Sequence, residues 1–170
     1  MKHSIQVSKE HYAWKYEKDI KRWISYHAQT DNIIKNLKNK KEKILEIGIG
    51  TKFLTENLKR MNYNVTTADF DKNLKPDIIA DVCKLPIKDN SYHLVCAFEV
   101  LEHIPFKNFK KALIEMKRVS KNKIFFSVPY SSFKFHLGFR FFPFTQIKEF
   151  EFHIPYFFLK HKFDGEHYWE

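Results

Sequence analysis

Cysteine is scarce in this chain. Cys83 and Cys96 are too few and too close in sequence to build a disulfide framework. Cys96 also sits inside an apolar run, LVCAF, where a thiol serves as a small core hydrophobe. Both features favour a reducing compartment, so the chain is read as cytoplasmic. Long apolar runs are missing as well. No stretch of about 18 uncharged apolar residues occurs, which excludes a membrane-spanning helix. The N-terminal MKHSIQVSKEHYAWKYEKDIKRW lacks the apolar segment a secretory signal requires. Internal repeats and low-complexity linkers are absent too. Acids are the minority charge: 20 Asp and Glu face 30 Lys and Arg, leaving +10 at pH 7. That balance keeps a chain soluble and could attract an acidic partner such as RNA or a phosphorylated substrate. A Lys-rich solvated surface explains it more simply.

What is present describes one globular domain, with 170 residues, 44% of them hydrophobic and 29% charged, enough to bury a core. Three zones differ in character. Residues 1–43 carry eleven Lys or Arg against five acids. Their Trp14, Ile20, Trp23, Ile24, His27, Ile33, Ile34 and Leu37 recur at helical spacing, which predicts a helical N-terminal extension. Residues 44–130 alternate strand-like and helix-like stretches, as a parallel sheet built from crossover units does. Strands are expected at 44–48, 64–69, 77–80, 92–98 and 123–128, and helices at 51–61 and 106–119. Right-handed crossovers then place helices on both faces of the sheet, giving an α/β, doubly wound architecture. Residues 131–170 hold 11 of the 18 Phe and read as a substrate or lid segment. They show no clear pair of alternating strands.

The stretch KILEIGIGTKFLTENLKRM turns tightly from a strand into a helix. In doubly wound sheets ligands sit outside the carboxyl ends of the strands, at such turns. Gly48 and Gly50 can take backbone angles closed to other residues, and without side chains they let N–H groups approach a ligand. A dinucleotide site of the usual pattern would want Gly at the sixth position, occupied here by Phe53, and the Walker pattern is absent. Further acids punctuate the next strands. Glu46 precedes the first glycine by two residues, Asp69 ends VTTADFD, and Asp81 opens ADVCKLP, before the apolar strand and its sequel SYHLVCAFEVLEHIP. A carboxylate at the end of the second strand can accept two hydrogen bonds from a ribose diol.

In this order EIGIGTKF, TTADFD, ADVCKLPIKDNSYHLVCAFEVLEHIP and FFSVP resemble a class I S-adenosylmethionine-dependent methyltransferase. The resemblance covers about residues 44–130 and implies a Rossmann-like fold with S-adenosylmethionine as cofactor. It implies that Glu46, Gly48 and Gly50 shape the pocket for the methionine part, and that Asp69 binds the ribose hydroxyls. Asp81 and Val82 fall where the family holds adenine, and Phe98 and Glu99 line the floor beside the methyl. Simpler roles stay open. Glu46 could serve only the turn's amides, Asp71 could be the ribose ligand in place of Asp69 but reads first as a turn or cap residue, Asp81 could cap the turn after it, and Glu99 could merely stabilise the fold. Lys52 stands at the family's third glycine position. Only 11 residues separate Asp69 from Asp81, so KNLKPD crosses as a short loop, with Pro76 against a helix.

Methyl transfer from a sulfonium is a direct displacement that needs an aligned nucleophile, excluded water and, for a hydroxyl or amine acceptor, a base. His103, in EVLEHIP, titrates in the right range, as does His167 in FDGEHYWE, which resembles a stretch that returns over the acceptor site in small-molecule members. Either histidine could instead pack or cap. No metal ligand is assigned. Trp14, Tyr12 and Tyr16 are lid candidates. The expected activity is methyl transfer to a small-molecule acceptor. An RNA-directed methyltransferase, an RNA-binding module and a cofactor-binding fragment without catalysis are the alternatives. The family's sheet has seven strands, so the chain is expected to lack the C-terminal strand hairpin and to stop short. An exposed sheet edge or the Phe-rich segment would then promote self-association.

Overall fold

The computed structural model describes residues 20–129, 132–139, 148–155 and 167–169. The first described element is α1 (Ile20–Lys35). Then follow β1 (Lys43–Ile47), α2 (Phe53–Arg60), β2 (Asn64–Asp69), β3 (Ile78–Ile79), β4 (Tyr92–Phe98), α3 (Phe106–Val119) and β5 (Ser120–Ser127). These strands form one parallel sheet in the order β3-β2-β1-β4-β5. The order reverses between β1 and β4, so a crevice opens at their carboxyl ends.

Alternation along the strands divides the core into two layers. Leu45, Ile47, Val95 and Ala97 face α3 and meet Ala112, Met116 and Val119. Ile44, Leu94 and Cys96 face the other way and meet Ile33 of α1 with Leu54 and Leu58 of α2. Helices therefore cover both faces, as the pattern predicts, and the N-terminal extension supplies core residues to one of them. Each large aliphatic side chain buried here contributes about 1.5–3 kcal/mol relative to exposure. Cys83 and Cys96 are free and buried.

Local chemistry sets the element ends. At the end of α2, Asn62 takes φ 64°. The Tyr63 N–H donates to the Leu58 carbonyl at 3.0 Å and the Asn62 N–H to that of Lys59 at 2.9 Å. This left-handed stop turns the chain directly into β2. Residues 72–74 form a 3-10 turn, and the Ala80 N–H reaches the Asp69 carbonyl at 2.9 Å, so KNLKPD does cross without a full helix. Arg118, near the end of α3, pins the approach to β4. It donates to the carbonyls of Ile87 at 2.7 Å and Leu85 at 3.0 Å and pairs with Glu115 and Asp89.

One expectation is corrected. The Phe-rich region does contain a strand pair: β6 (Ser132–Phe139) runs antiparallel to β7 (Lys148–Pro155), pairing Phe133 with Ile154, Phe135 with Phe152 and Leu137 with Phe150. Both SFKFHLGF and KEFEFHIP alternate apolar and polar residues with the strand period of two, a signal hidden by the density of Phe. The pair forms its own two-stranded sheet, separate from the five-stranded one. Tyr12, Trp14 and Tyr16 lie outside the described residues. Among the described residues no helix is long and apolar enough to cross a membrane.

Candidate active site

The crevice is built around the turn after β1. Gly48 has φ +77° and Gly50 φ +42°, angles that favour glycine. A Cβ on Gly48 would stand 2.2 Å from Cγ2 of Val100, just beyond β4, so the contact between these two turns leaves no room for one. Lys52 holds the left-handed conformation at φ 64°, and α2 starts after it, at Phe53. The third glycine position of the resembled pattern thus keeps a glycine-like backbone while carrying a lysine.

Asp69, at the end of β2, bridges to that turn. Its Oδ2 accepts the Ile49 N–H at 2.8 Å and its Oδ1 the Asp71 N–H at 2.8 Å. Burial pushes the Asp69 carboxyl above its ordinary value, and the amide hydrogen bonds oppose the shift. Asp71 is buried and caps the 3-10 turn by accepting the Asn73 N–H at 2.9 Å, the turn role its position suggested. Asp81 accepts the Cys83 N–H at 2.8 Å, so it does cap its own turn. Val82 is buried in the core layer beneath α3.

Glu46 points to the opposite layer, where the Thr55 hydroxyl of α2 donates to its carboxylate. Burial pushes its carboxyl up to about 7. Phe98 is half-buried against the layer beneath α1 and α2. Glu99 is exposed, adopts φ 54°, and accepts the Ser127 hydroxyl at 2.6 Å. A positive φ on a glutamate at the carboxyl end of a central strand is the kind of strain that collects at functional sites.

Beyond Glu99 the chain makes a 3-10 turn, Leu101–His103, which buries Glu102 completely and leaves His103 half-buried. The C-terminal residues return to this turn. The Tyr168 N–H donates to the Glu102 carbonyl at 2.8 Å, and Trp169 Nε1 donates to the Ile104 carbonyl at 3.0 Å. The Trp169 ring packs edge-on against Phe106 and Phe109, with centroids 5.3 and 5.0 Å away. The His167 ring consequently lies 5.0 Å from that of His103. The two candidate bases, 64 positions apart in the chain, are neighbours in space.

Sequence reasoning missed three participants. Glu102 lies with the two histidines, with potential ligand atoms of the three within 4.8 Å of one another, and its acidity between the buried Leu101 and Ile104 was the available signal. Tyr26 and Trp23 of α1 reach the glycine turn from above: the Tyr26 hydroxyl lies 3.1 Å from Thr51 Oγ1, and both rings pack on Phe53 at 4.6 and 4.8 Å. Trp23 was visible as part of a helix face, not as a contact with the turn, and Tyr26, three residues on, falls outside the apolar pattern.

A glycine turn after the first strand and a carboxylate after the second, in the sheet order observed, define a crevice for a nucleoside-bearing cofactor. Residues 45–127 match the family described as methyltransferase domain. The chain is 34% identical over 99 residues to an uncharacterized protein of Methanocaldococcus jannaschii, covering 54% of this chain and 42% of that protein. It thus spans less than half the length of that relative. Among solved structures, a candidate S-adenosyl-L-methionine-dependent methyltransferase of Methanococcus maripaludis superimposes with TM-score 0.60 at 18% identity, covering 75% of this chain and 67% of the other. A protein of Pyrococcus horikoshii gives TM-score 0.53 at 16% identity, with 71% and 66% covered. Both likenesses concern the fold. The crevice suits S-adenosylmethionine: Gly48 lets the turn after β1 close on Val100, and Asp69 presents a carboxylate beside that turn.

Proposed function

We propose that this chain transfers a methyl group from S-adenosylmethionine to a small-molecule acceptor, in the cytoplasm. The observation that carries the reading is the convergence, at the carboxyl ends of adjacent strands β1 and β4, of the glycine turn with its Asp69 carboxylate and the His103–His167 pair. When bound, the cofactor supplies a methyl carbon on a positively charged sulfur. Asp69 holds the ribose hydroxyls, Asp81 and Val82 the adenine, and Gly48 and Gly50, backed by Glu46, admit the methionine part. Phe98 and Glu99 form the floor. His103 and His167 face the acceptor and act on its proton as the nucleophile attacks. Tyr26 and Trp23, resting on Phe53, cover the turn and limit water at the reacting centre.

The test pairs cofactor binding with turnover. His103→Ala should lower methyl transfer by about two to four orders of magnitude while cofactor affinity stays within a few-fold. Acceptors are found by offering labelled S-adenosylmethionine with fractionated metabolites and, separately, RNA. Label entering RNA alone would replace the small-molecule reading. Cofactor bound without transfer to any fraction would make the chain a binding protein. Self-association belongs to the same reading, since among the described residues β5 ends the five-stranded sheet and Phe126 lies exposed on it. A monomer by light scattering would remove that part alone.

A further inference from the structure

We infer that Glu102, His103 and His167 form a site for one divalent transition-metal cation, and that the acceptor is a hydroxyl compound bound through its oxygen to that cation. The inference rests on the methyl-transfer reading for the acceptor, but not for the cation. One ligand atom from each of the three residues lies within 4.8 Å of the others. Around a tetrahedral ion with bonds of about 2.1 Å, ligand atoms stand roughly 3.4 Å apart, so modest side-chain rotation closes the set.

The burial of Glu102 points the same way. Its side chain is fully enclosed at 0% exposure, in a turn whose neighbours Leu101 and Ile104 belong to the apolar core. A carboxylate taken so far from water loses hydration worth several kcal/mol, which a cation can offset. A divalent ion shared by all three groups supplies the charge and uses the lone pairs. Two imidazoles and one carboxylate suit zinc, cobalt, iron or manganese better than calcium or magnesium, which favour all-oxygen sets.

The scaffold holds these ligands from two segments. Glu102 and His103 ride on the turn that closes β4. His167 is delivered by the backbone bond from Tyr168 to Glu102 and by the Trp169 anchor on Ile104, Phe106 and Phe109. Neither anchor uses the ligand atoms, so the geometry is set before an ion arrives. Three protein ligands leave at least one coordination position for a water or an acceptor oxygen, the arrangement of catalytic rather than structural sites.

The position fixes the use. The turn starts at Val100, which touches Gly48 of the cofactor crevice. An acceptor hydroxyl coordinated there loses its proton to solvent near neutral pH, as water does on zinc. The oxygen lone pair then forms the new bond to the methyl carbon. The carbon–sulfur bond breaks with its electron pair left on sulfur, which becomes a neutral thioether. Charge and atoms balance without an oxidant or reductant. On this assignment the histidines orient the acceptor through the ion.

The chain is stripped with a chelator, then titrated with Zn2+ by calorimetry and with Co2+ by visible absorption, and S-adenosylmethionine binding is measured on the same samples. We expect one strong site with the Co2+ bands of low-symmetry coordination. His167→Ala and Glu102→Gln should each weaken Zn2+ binding at least about tenfold and remove the bands, with cofactor affinity kept as the control for folding. His167→Ala is the safer variant, because that residue is half-buried in the last turns of the chain. Absence of a strong site, or Zn2+ binding unchanged in His167→Ala, overturns the cation site and leaves the methyl-transfer reading standing. Metal binding as expected in a chain that binds no S-adenosylmethionine overturns that reading and keeps the site. Turnover that is unaffected by chelation, or confined to amine acceptors, overturns the acceptor assignment.

Discussion

The Asp69 carboxylate accepts the Ile49 N–H at 2.8 Å, tying the end of one strand to the glycine turn of its neighbour. The side chain proposed to hold the ribose also holds the turn proposed to admit the rest of the cofactor. Asp69→Ala should therefore weaken S-adenosylmethionine binding by about 1.5–3 kcal/mol, the usual worth of hydrogen bonds to a charged group. Calorimetry with the cofactor and its demethylated product checks this, and equal affinity in variant and parent would remove the ribose assignment.

Glu46 makes stability depend on pH. Burial holds its carboxyl at about 7 against an ordinary 4.5. Between those values the folded chain keeps a proton that the unfolded chain has released. Stability should therefore fall as pH rises through this window, by about 3 kcal/mol in all at 1.36 kcal/mol per unit. Glu46→Gln does not titrate, so its stability relative to the parent should improve across that window and level off above about pH 7. Urea unfolding at pH 5 and pH 8 checks this. Parallel changes in the two proteins would show that Glu46 ionises freely.

Lys52 occupies a conformation, φ 64°, that costs an L-residue roughly 1–2 kcal/mol. Lys52→Gly should relieve this, offset in part by the greater freedom of glycine in the unfolded chain. A net gain of about 0.5–1 kcal/mol is expected. A loss would mean that the lysine side chain repays its strain through contacts at the helix start.

Trp169 should matter to turnover more than to cofactor binding. Trp169→Ala removes both the bond to Ile104 and the packing on Phe106 and Phe109, which releases His167 from His103. Methyl transfer is expected to fall about as far as in His167→Ala, with S-adenosylmethionine affinity within a few-fold of the parent. Trp169→Phe keeps a ring but no donor, and should cost about 1 kcal/mol of stability.

Much of this arrangement was legible in the sequence because it depends on local rules. The helix over 106–119 and the strand over 92–98 follow from apolar period, and both occupy the expected residues. The glycine turn follows from what a strand-to-helix turn requires of the backbone, and the position of Asp69 from the end of the second strand. The start of α2 was misplaced by two residues, since nothing in TKF shows that Lys52 accepts a positive φ. The β6–β7 pair was overlooked because Phe at nearly every second position also reads as a continuous apolar segment. Glu102 lay beyond reach for another reason. Its neighbour His167 is 65 residues away, brought near by the backbone bond of Tyr168 and the indole of Trp169, which no periodicity encodes.

The contact between Gly48 and Val100 makes two loops into one machine part. Gly48 belongs to the turn proposed to admit the cofactor, and Val100 opens the turn that carries His103, proposed for the acceptor side. With a virtual Cβ 2.2 Å from the valine methyl, neither turn can advance without pushing the other. A displacement on the acceptor side is therefore felt as pressure on the cofactor side, through packed atoms and without any hydrogen bond to break. The two positions also constrain each other's future: a side chain at 48 becomes sterically admissible only after the one at 100 has shrunk, so substitutions there have an order.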